Sequence, residues 1–336
     1  MSDWPGWARR LITIPILYLS WALTLALLPP LLVVALVIDL VRAARGIKPT
    51  AWRLLAFLLT YLTVEALGMV CGLGIWLASG FGHNRRRLMR WTYVAQGVWA
   101  NVLWDTTCTV FRLRVSVSGD KNVTPGPLVV LSRHASIVDN ILPFQLFTRR
   151  NRMNLRYVIK KELVIDPAID IAGHWLPNHF VDRGGGDNDR EIEALRQLAT
   201  GLRVDDGIVI FPEGTRFTQS KQRRILDILE RRNPRFYEKA RELRNVLPPR
   251  PGGAIAILEA ARADVALVAH HGLDGFANIS DIWSGGMVGR HVRVRISRYP
   301  YHSIPAGRNE RIDWLFRLWS EMDDWLTGAK LATIDG

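Results

Sequence analysis

The first eighty residues constrain this chain more than any other part of it. Leu11 to Leu28 is an uncharged run of 18 residues, about 27 Å of helix at roughly 1.5 Å per residue. Pro29 and Pro30 interrupt it and Leu31 to Ile38 resumes it, which predicts a kinked or re-entrant path. A second run, Trp52 to Ser79, has 28 residues with Glu65 as the charge in its interior. That length is enough to span a hydrocarbon core of about 30 Å. The two runs predict an N-terminal membrane helical hairpin over residues 1–80. A cleaved signal peptide fits poorly: the run after Arg9 and Arg10 is too long, ends without a small-residue cleavage site and is followed by another.

Charge and aromatic placement name the surroundings. The chain carries 44 Lys and Arg against 31 Asp and Glu, a formal net charge of +13, which favours a polyanionic partner. Eight of the 13 tryptophans fall in the first 104 residues, where amphipathic rings suit a headgroup boundary. This points to an anionic membrane surface and away from nucleic acid. The two cysteines, Cys71 and Cys108, cannot build a disulfide framework or a paired-cysteine zinc site. Basic residues flank both ends of the hydrophobic region (Arg9 and Arg10; Arg85, Arg86, Arg87 and Arg90) and also occupy its connecting loop, so they do not orient it. A hairpin dipping into one leaflet would leave every basic cluster on the cytosolic side. The expected location is therefore a membrane, the cytoplasmic membrane in a bacterium, with residues 81–336 on its cytoplasmic side.

Those later residues hold most of the charge and read as one soluble domain. Strand patterns at Leu113 to Val117, Leu128 to Leu131, Leu155 to Ile159, His179 to Val181, Ile208 to Phe211, Val265 to Ala269 and His291 to Ile296 alternate with helical ones. The helical stretches are Leu88 to Phe111, Ile137 to Phe147, Asp189 to Gly201, Lys221 to Arg244, Gly252 to Arg262 and Arg308 to Leu326. The fold class expected is α/β, a central mixed β-sheet flanked by helices. A basic insertion interrupts it at about 217–250, where Lys221 to Arg244 holds nine bases against four acids. Such a surface suits docking on anionic lipid.

The chemistry concentrates in Ser132, Arg133, His134, Ala135, Ser136, Ile137, Val138, Asp139, between a strand and a helix start. Residues five apart on a regular helix lie about 140° away from each other. His134 must then sit on the loop, with Asp139 reaching back from the first turn. A carboxylate so placed fixes the imidazole tautomer and leaves the other ring nitrogen as a general base for an alcohol. Ser136 lines the same loop and could instead cap the helix. After another strand come Phe211, Pro212, Glu213, Gly214, Thr215, Arg216, where an arginine beside glycine suits a phosphate. Phe180, Val181, Asp182, Arg183 end a further strand. His270 and His271 read as strand-end residues, and no metal site is expected.

These blocks, with Tyr157, Val158, Ile159, Lys160, Lys161, Glu162, Leu163 between them, resemble in order and spacing the 1-acylglycerol-3-phosphate acyltransferase family (PlsC type) over about Leu113 to Arg298. The insertion and Leu247, Pro248, Pro249, Arg250, Pro251, Gly252, Gly253 look like its eukaryotic-type branch, which contains lysophosphatidic acid and lysocardiolipin acyltransferases. One departure is the fourth block, which reads Val265, Ala266, Leu267, Val268, Ala269, His270, His271 where the family usually has a proline-containing strand.

The resemblance implies a glycerolipid acyltransferase-like fold, with His134 as base and Asp139 as its orienting partner. It implies Arg183, Glu213, Gly214 and Arg216 in a lysophospholipid-phosphate site. Ser136, Lys160, Lys161 and Thr215 are further candidates for substrate binding. Acyl-CoA or acyl-carrier protein would be a co-substrate, with no further cofactor. The competing readings are a transferase for another lysophospholipid such as lysocardiolipin or lysophosphatidylinositol, a transacylase, a membrane-tethered hydrolase, and a basic membrane adaptor without catalysis. No GxSxG elbow supports an acyl-enzyme, and the sequence names no protein partner.

Overall fold

Proline decides the first bend. Helix α1 (Gly6–Ala26) gives way at Leu27 to α2 (Leu28–Ala44), whose first turn carries proline, where a missing amide hydrogen costs no helical bond. The two axes differ by 71°. Helix α3 (Ala51–Ala78) follows, and is the one helix among the described residues long and apolar enough by itself to cross a membrane. The computed structural model describes residues 3–182, 188–274, 276 and 279–334.

Two units make up the chain, one of Met1–Leu113, Ile159–Gly186 and Ile282–Gly289, the other of Arg114–Val158, Asp187–Asp281 and Arg290–Gly336. The first unit runs past residue 80 because α4 (Arg85–Phe111) packs along α3. Several of its polar groups are paired across elements. Asp39 accepts the amides of Thr50, Ala51 and Trp52 at 2.8, 2.9 and 2.9 Å, filling the donors that open α3. Glu65, inside α3, accepts the Trp99 indole N–H of α4 at 2.7 Å. Tyr61 donates to Asp166 at 2.5 Å, and the other oxygen of Asp166 caps α5 (Pro167–Trp175) through the amides of Ala168 and Ile169. Asp170, wholly buried, takes Arg9 at 2.6 Å and Arg10 at 2.9 Å.

Seven strands form one mixed sheet in the order β1-β7-β6-β2-β5-β3-β4: β1 (Arg114–Ser118), β2 (Leu128–Ser132), β3 (Asn154–Lys160), β4 (His179–Val181), β5 (Asp206–Ile210), β6 (Asp264–His271) and β7 (His291–Tyr299). The helices of this half of the chain are α6 (Asn188–Leu198), α7 (Gln219–Arg232), α8 (Pro234–Ala240), α9 (Pro251–Ala260), α10 (Ile279–Trp283) and α11 (Arg308–Ile334). Strands β2 and β5 are buried along their whole length, as expected of parallel strands covered on both faces. Alternate residues Val129, Leu131, Ile208, Ile210, Val265 and Leu267 pack in one core with α6, α9 and α11, including the fully buried Trp319. A side chain at Gly253 would meet Leu195 at 3.0 Å, so glycine there lets α9 lie close to α6.

The helix expected over Ile137 to Phe147 is instead a short 3-10 turn at Val138–Asn140 and a π-helical stretch at Phe144–Arg149. Pro143 interrupts the amide ladder between them. The basic insertion breaks into α7 and α8 at Asn233, whose side chain accepts from Phe236 and caps the second piece.

Asp170→Leu removes the buried carboxylate that Arg9 and Arg10 share and should cost about 3 kcal/mol, seen as a lower melting temperature in detergent; an unchanged melting curve would show that the cluster contributes nothing.

Candidate active site

Three neighbouring strands run parallel, and their C-terminal ends bring the sequence motifs to one place. In register, Leu131 of β2 pairs with Ile210 of β5, and Ser132 of β2 with Val268 of β6. Residues 133–139 and 211–217 therefore leave the sheet beside the last residues of β6, His270 and His271, and the segment 272–274 that follows them, at the strand ends where open α/β sheets bind ligands.

His134 has Nδ1 3.3 Å from Asp139 Oδ2, while Nε2 has no hydrogen-bond partner among the described residues. The same Oδ2 accepts the amides of Ala135 at 2.5 Å and Ser136 at 2.6 Å. Asp139 thus closes its own loop, and these bonds replace the helical ones the segment lacks. Burial works against its ionisation, yet His270 and His134 hold the carboxyl below the usual carboxylate range. Ser136 is buried, and its hydroxyl accepts the Val138 amide at 3.1 Å, a turn-forming bond. The Phe211 ring lies 4.6 Å from the imidazole centroid.

The second motif braces the first. Glu213 is fully buried; its Oε1 accepts the His134 amide at 2.8 Å and its Oε2 the Leu247 amide at 3.0 Å. Phe217 N–H donates to His134 O at 2.8 Å. Gly214, at φ +73°, supplies the left-handed residue of the turn, and its amide is spent on Phe211 O at 2.9 Å. The amides of Thr215 and Arg216 have no partner among the described residues. Lys221 Nζ donates at 3.1 Å to both the Thr215 hydroxyl and Arg216 O, fixing the end of the loop. The half-buried Arg216 side chain has no hydrogen bond or ion pair among the described residues.

His134, Ser136, Asp139, Glu213, Gly214, Thr215 and Arg216 are thus gathered in one place. Lys160 and Lys161 belong to the N-terminal unit, where Lys160 pairs with Glu162 at 3.2 Å and Lys161 with Asp182 and Asp3, each at 2.8 Å. Arg183 lies outside the described residues. Sequence reasoning missed the groups behind the motif. Arg133, without exposed surface, donates to His270 O and Asn245 O at 2.7 Å each and pairs with Asp274. His270 and His271 each have a carboxylate beside them in space, Asp139 and Asp274, both at 3.3 Å. The one available signal was Arg133 itself: a cation directly after a buried strand needs a counter-charge from elsewhere in the chain.

Burial pushes the Glu213 carboxyl up to about 8 from an ordinary 4.5, against the pull of Arg133 and the two amides. The folded protein then holds a proton that the unfolded chain releases. Stability from this group is complete below pH 4.5 and is lost as pH rises toward about 8, with a slope of at most about 1.4 kcal/mol per pH unit. Melting temperatures from pH 5 to 9 should fall less steeply for Glu213→Gln than for the wild type; parallel curves would refute this.

The acyltransferase family model matches residues 114–270, which contain both motifs. Among curated proteins, lysocardiolipin acyltransferase 1 of Mus musculus is 24% identical over 224 residues, covering 65% of this chain and 58% of that protein. The 1-acyl-sn-glycerol-3-phosphate acyltransferase gamma of Mus musculus is 26% identical over 266 residues, covering 76% and 66%. The chain thus spans a little under two thirds of the length of these relatives. The crystal structure of the 1-acyl-sn-glycerophosphate acyltransferase PlsC from Thermotoga maritima matches with a TM-score of 0.53 at 15% identity, over 82% of this chain and 97% of that one, a likeness of fold. The motif loops thus lie inside a stretch, residues 114–270, that matches the acyltransferase family, and the chain is similar there to lysocardiolipin and 1-acyl-sn-glycerol-3-phosphate acyltransferases.

Proposed function

We propose that this protein transfers a fatty acyl group from an acyl thioester, acyl-CoA or acyl-carrier protein, to the free hydroxyl of 1-acylglycerol-3-phosphate at a membrane, making phosphatidic acid. The observation that carries the reading is the His134 imidazole, held through Nδ1 by a buried carboxylate and unpartnered at Nε2. Nε2 takes the hydroxyl proton as the lysolipid oxygen attacks the thioester carbonyl. The tetrahedral intermediate then collapses with loss of thiolate, and the imidazolium returns the proton to sulfur. The lysolipid supplies the nucleophile, so no acyl-enzyme forms.

Arg216 supports the phosphate end of the substrate, since a half-buried guanidinium without a protein partner suits a bidentate anion. Arg183, Lys160 and Lys161 are proposed to assist it. The amides of Thr215 and Arg216 are the donors left for the oxyanion, where Gly214 contributes its turn and not its N–H. The apolar α3 and the bent α1–α2 pair support residence in a bilayer, and the catalytic residues are proposed to face the cytoplasm. The exposed Arg223, Arg224, Arg231 and Arg232 of α7 support contact with anionic headgroups. The lysocardiolipin acyltransferase relatives favour one second reading, lysocardiolipin as acceptor.

Purified protein, labelled acyl-CoA and a panel of lysolipids test these assignments. His134→Ala should lower kcat by about 10³-fold, and Asp139→Asn by at least about 10²-fold, with membrane association retained; near-normal turnover in either would remove the mechanism. Arg216→Ala should raise KM for 1-acylglycerol-3-phosphate about tenfold or more while leaving KM for acyl-CoA in place. An unchanged lysolipid dependence would end the phosphate assignment, and a preference for lysocardiolipin in the panel would select the second reading.

A further inference from the structure

We infer that His270 is a positioning residue for this reaction, donating from Nε2 to the outer oxygen of Asp139 and so sharing that carboxylate between two imidazoles. The inference rests on the reading of His134 as base. Asp139 Oδ2 is fully engaged by the amides of Ala135 and Ser136 and by His134 Nδ1. Its Oδ1 is buried without a hydrogen-bond partner among the described residues, and the nitrogen beside it is His270 Nε2, 3.3 Å away, whose hydrogen bond in this structure goes to Arg133 O at 3.4 Å, so a small rotation of the imidazole shares its N–H with Oδ1. Neither Asp139 nor His270 has exposed surface, so bulk water cannot supply the missing donor. A buried carboxylate oxygen needs one.

The tautomer follows from the other ring nitrogen. His270 Nδ1 is buried with no partner among the described residues. A bare lone pair there costs less than an unpaired N–H, so the proton sits on Nε2, between Asp139 Oδ1 and Arg133 O. The backbone of His270 is fixed independently, because its carbonyl accepts Arg133 Nη1 at 2.7 Å. Strand β6 thereby carries one residue whose carbonyl anchors the arginine before His134 and whose ring reaches the carboxylate behind it.

The consequence is electrostatic. A donor on Oδ1 draws negative charge away from Oδ2 and weakens its hold on a protonated His134. Removing that donor concentrates the charge on Oδ2, stabilises the imidazolium and keeps the base protonated to higher pH. Arg133, Glu213, Asp274 and His271 are the other charged or titratable groups around the three side chains, and substitution of His270 leaves each in place.

The test is the pH profile of kcat/KM for the full-length enzyme in mixed micelles, beside melting curves. His270→Leu should move the acid limb upward by about half a pH unit or more. His270→Gln, whose amide N–H reaches the position of Nε2, should return it toward wild type. If His270→Leu does not fold, His270→Asn, whose amide is too short to reach Oδ1, takes its place against His270→Gln. Coincident acid limbs in the donor-bearing and donor-lacking variants would overturn the assignment. Substantial turnover by His134→Ala would instead remove the base reading beneath it, so the two failures are distinguishable.

Discussion

A guanidinium sealed from water has to be met by protein groups, and the unit that holds most of the sheet is organised around that demand. Arg133 leaves the end of β2 without exposed surface. Its donors reach the carbonyl of His270 on β6, the carbonyl of Asn245 ahead of α9, and the carboxylate of Asp274. Three stretches distant in sequence are tied to the residue immediately before the proposed base. Losing Asp274 would leave a buried cation unpaired, an outcome costlier than the loss of any exposed ion pair on this surface.

Around that anchor, acidic groups serve as acceptors for backbone amides. Asp139 gathers the amides of its own loop, Glu213 joins the loop of His134 to the segment at Leu247, and Asp323 of α11 receives the amides of Arg244 and Asn245. Each replaces bonds that a regular element would have supplied. This is how irregular backbone next to His134 stays ordered between strands. It also separates labour within the second motif: Glu213 braces, Gly214 turns, and Arg216 is left available.

Much of this was legible in the residues because strand-forming runs separated by helical ones admit few topologies. All seven strands were expected within a few residues of where they lie, and periodicity alone located α6, α9 and α11. The pairing of His134 with Asp139 followed from the 140° that a regular helix would have placed between them. Illegible were contacts made through the sheet. Nothing in the order of residues says that β6 lies beside β2, and without that adjacency His270 is only a histidine near a strand end. The stretch from Ile137 to Phe147 misled for a related reason: its apolar spacing is helical, but Asp139 and Pro143 redirect the amides that a helix needs. Arg183, assigned from the family resemblance, lies outside the described residues.

The N-terminal unit is discontinuous, and this bears on how it is made. Its first helices emerge from the ribosome long before Asp166 and Asp170, which engage Tyr61, Arg9 and Arg10, and before Trp283 and Val288, whose carbonyls receive Arg42, Thr50 and Lys48. The hydrophobic helices must therefore wait, with several polar groups still unmatched, until most of the polypeptide has been synthesised. Clipping them off afterwards would strip the later segments of their partners, so the region is an integral part of the fold and not a detachable tether.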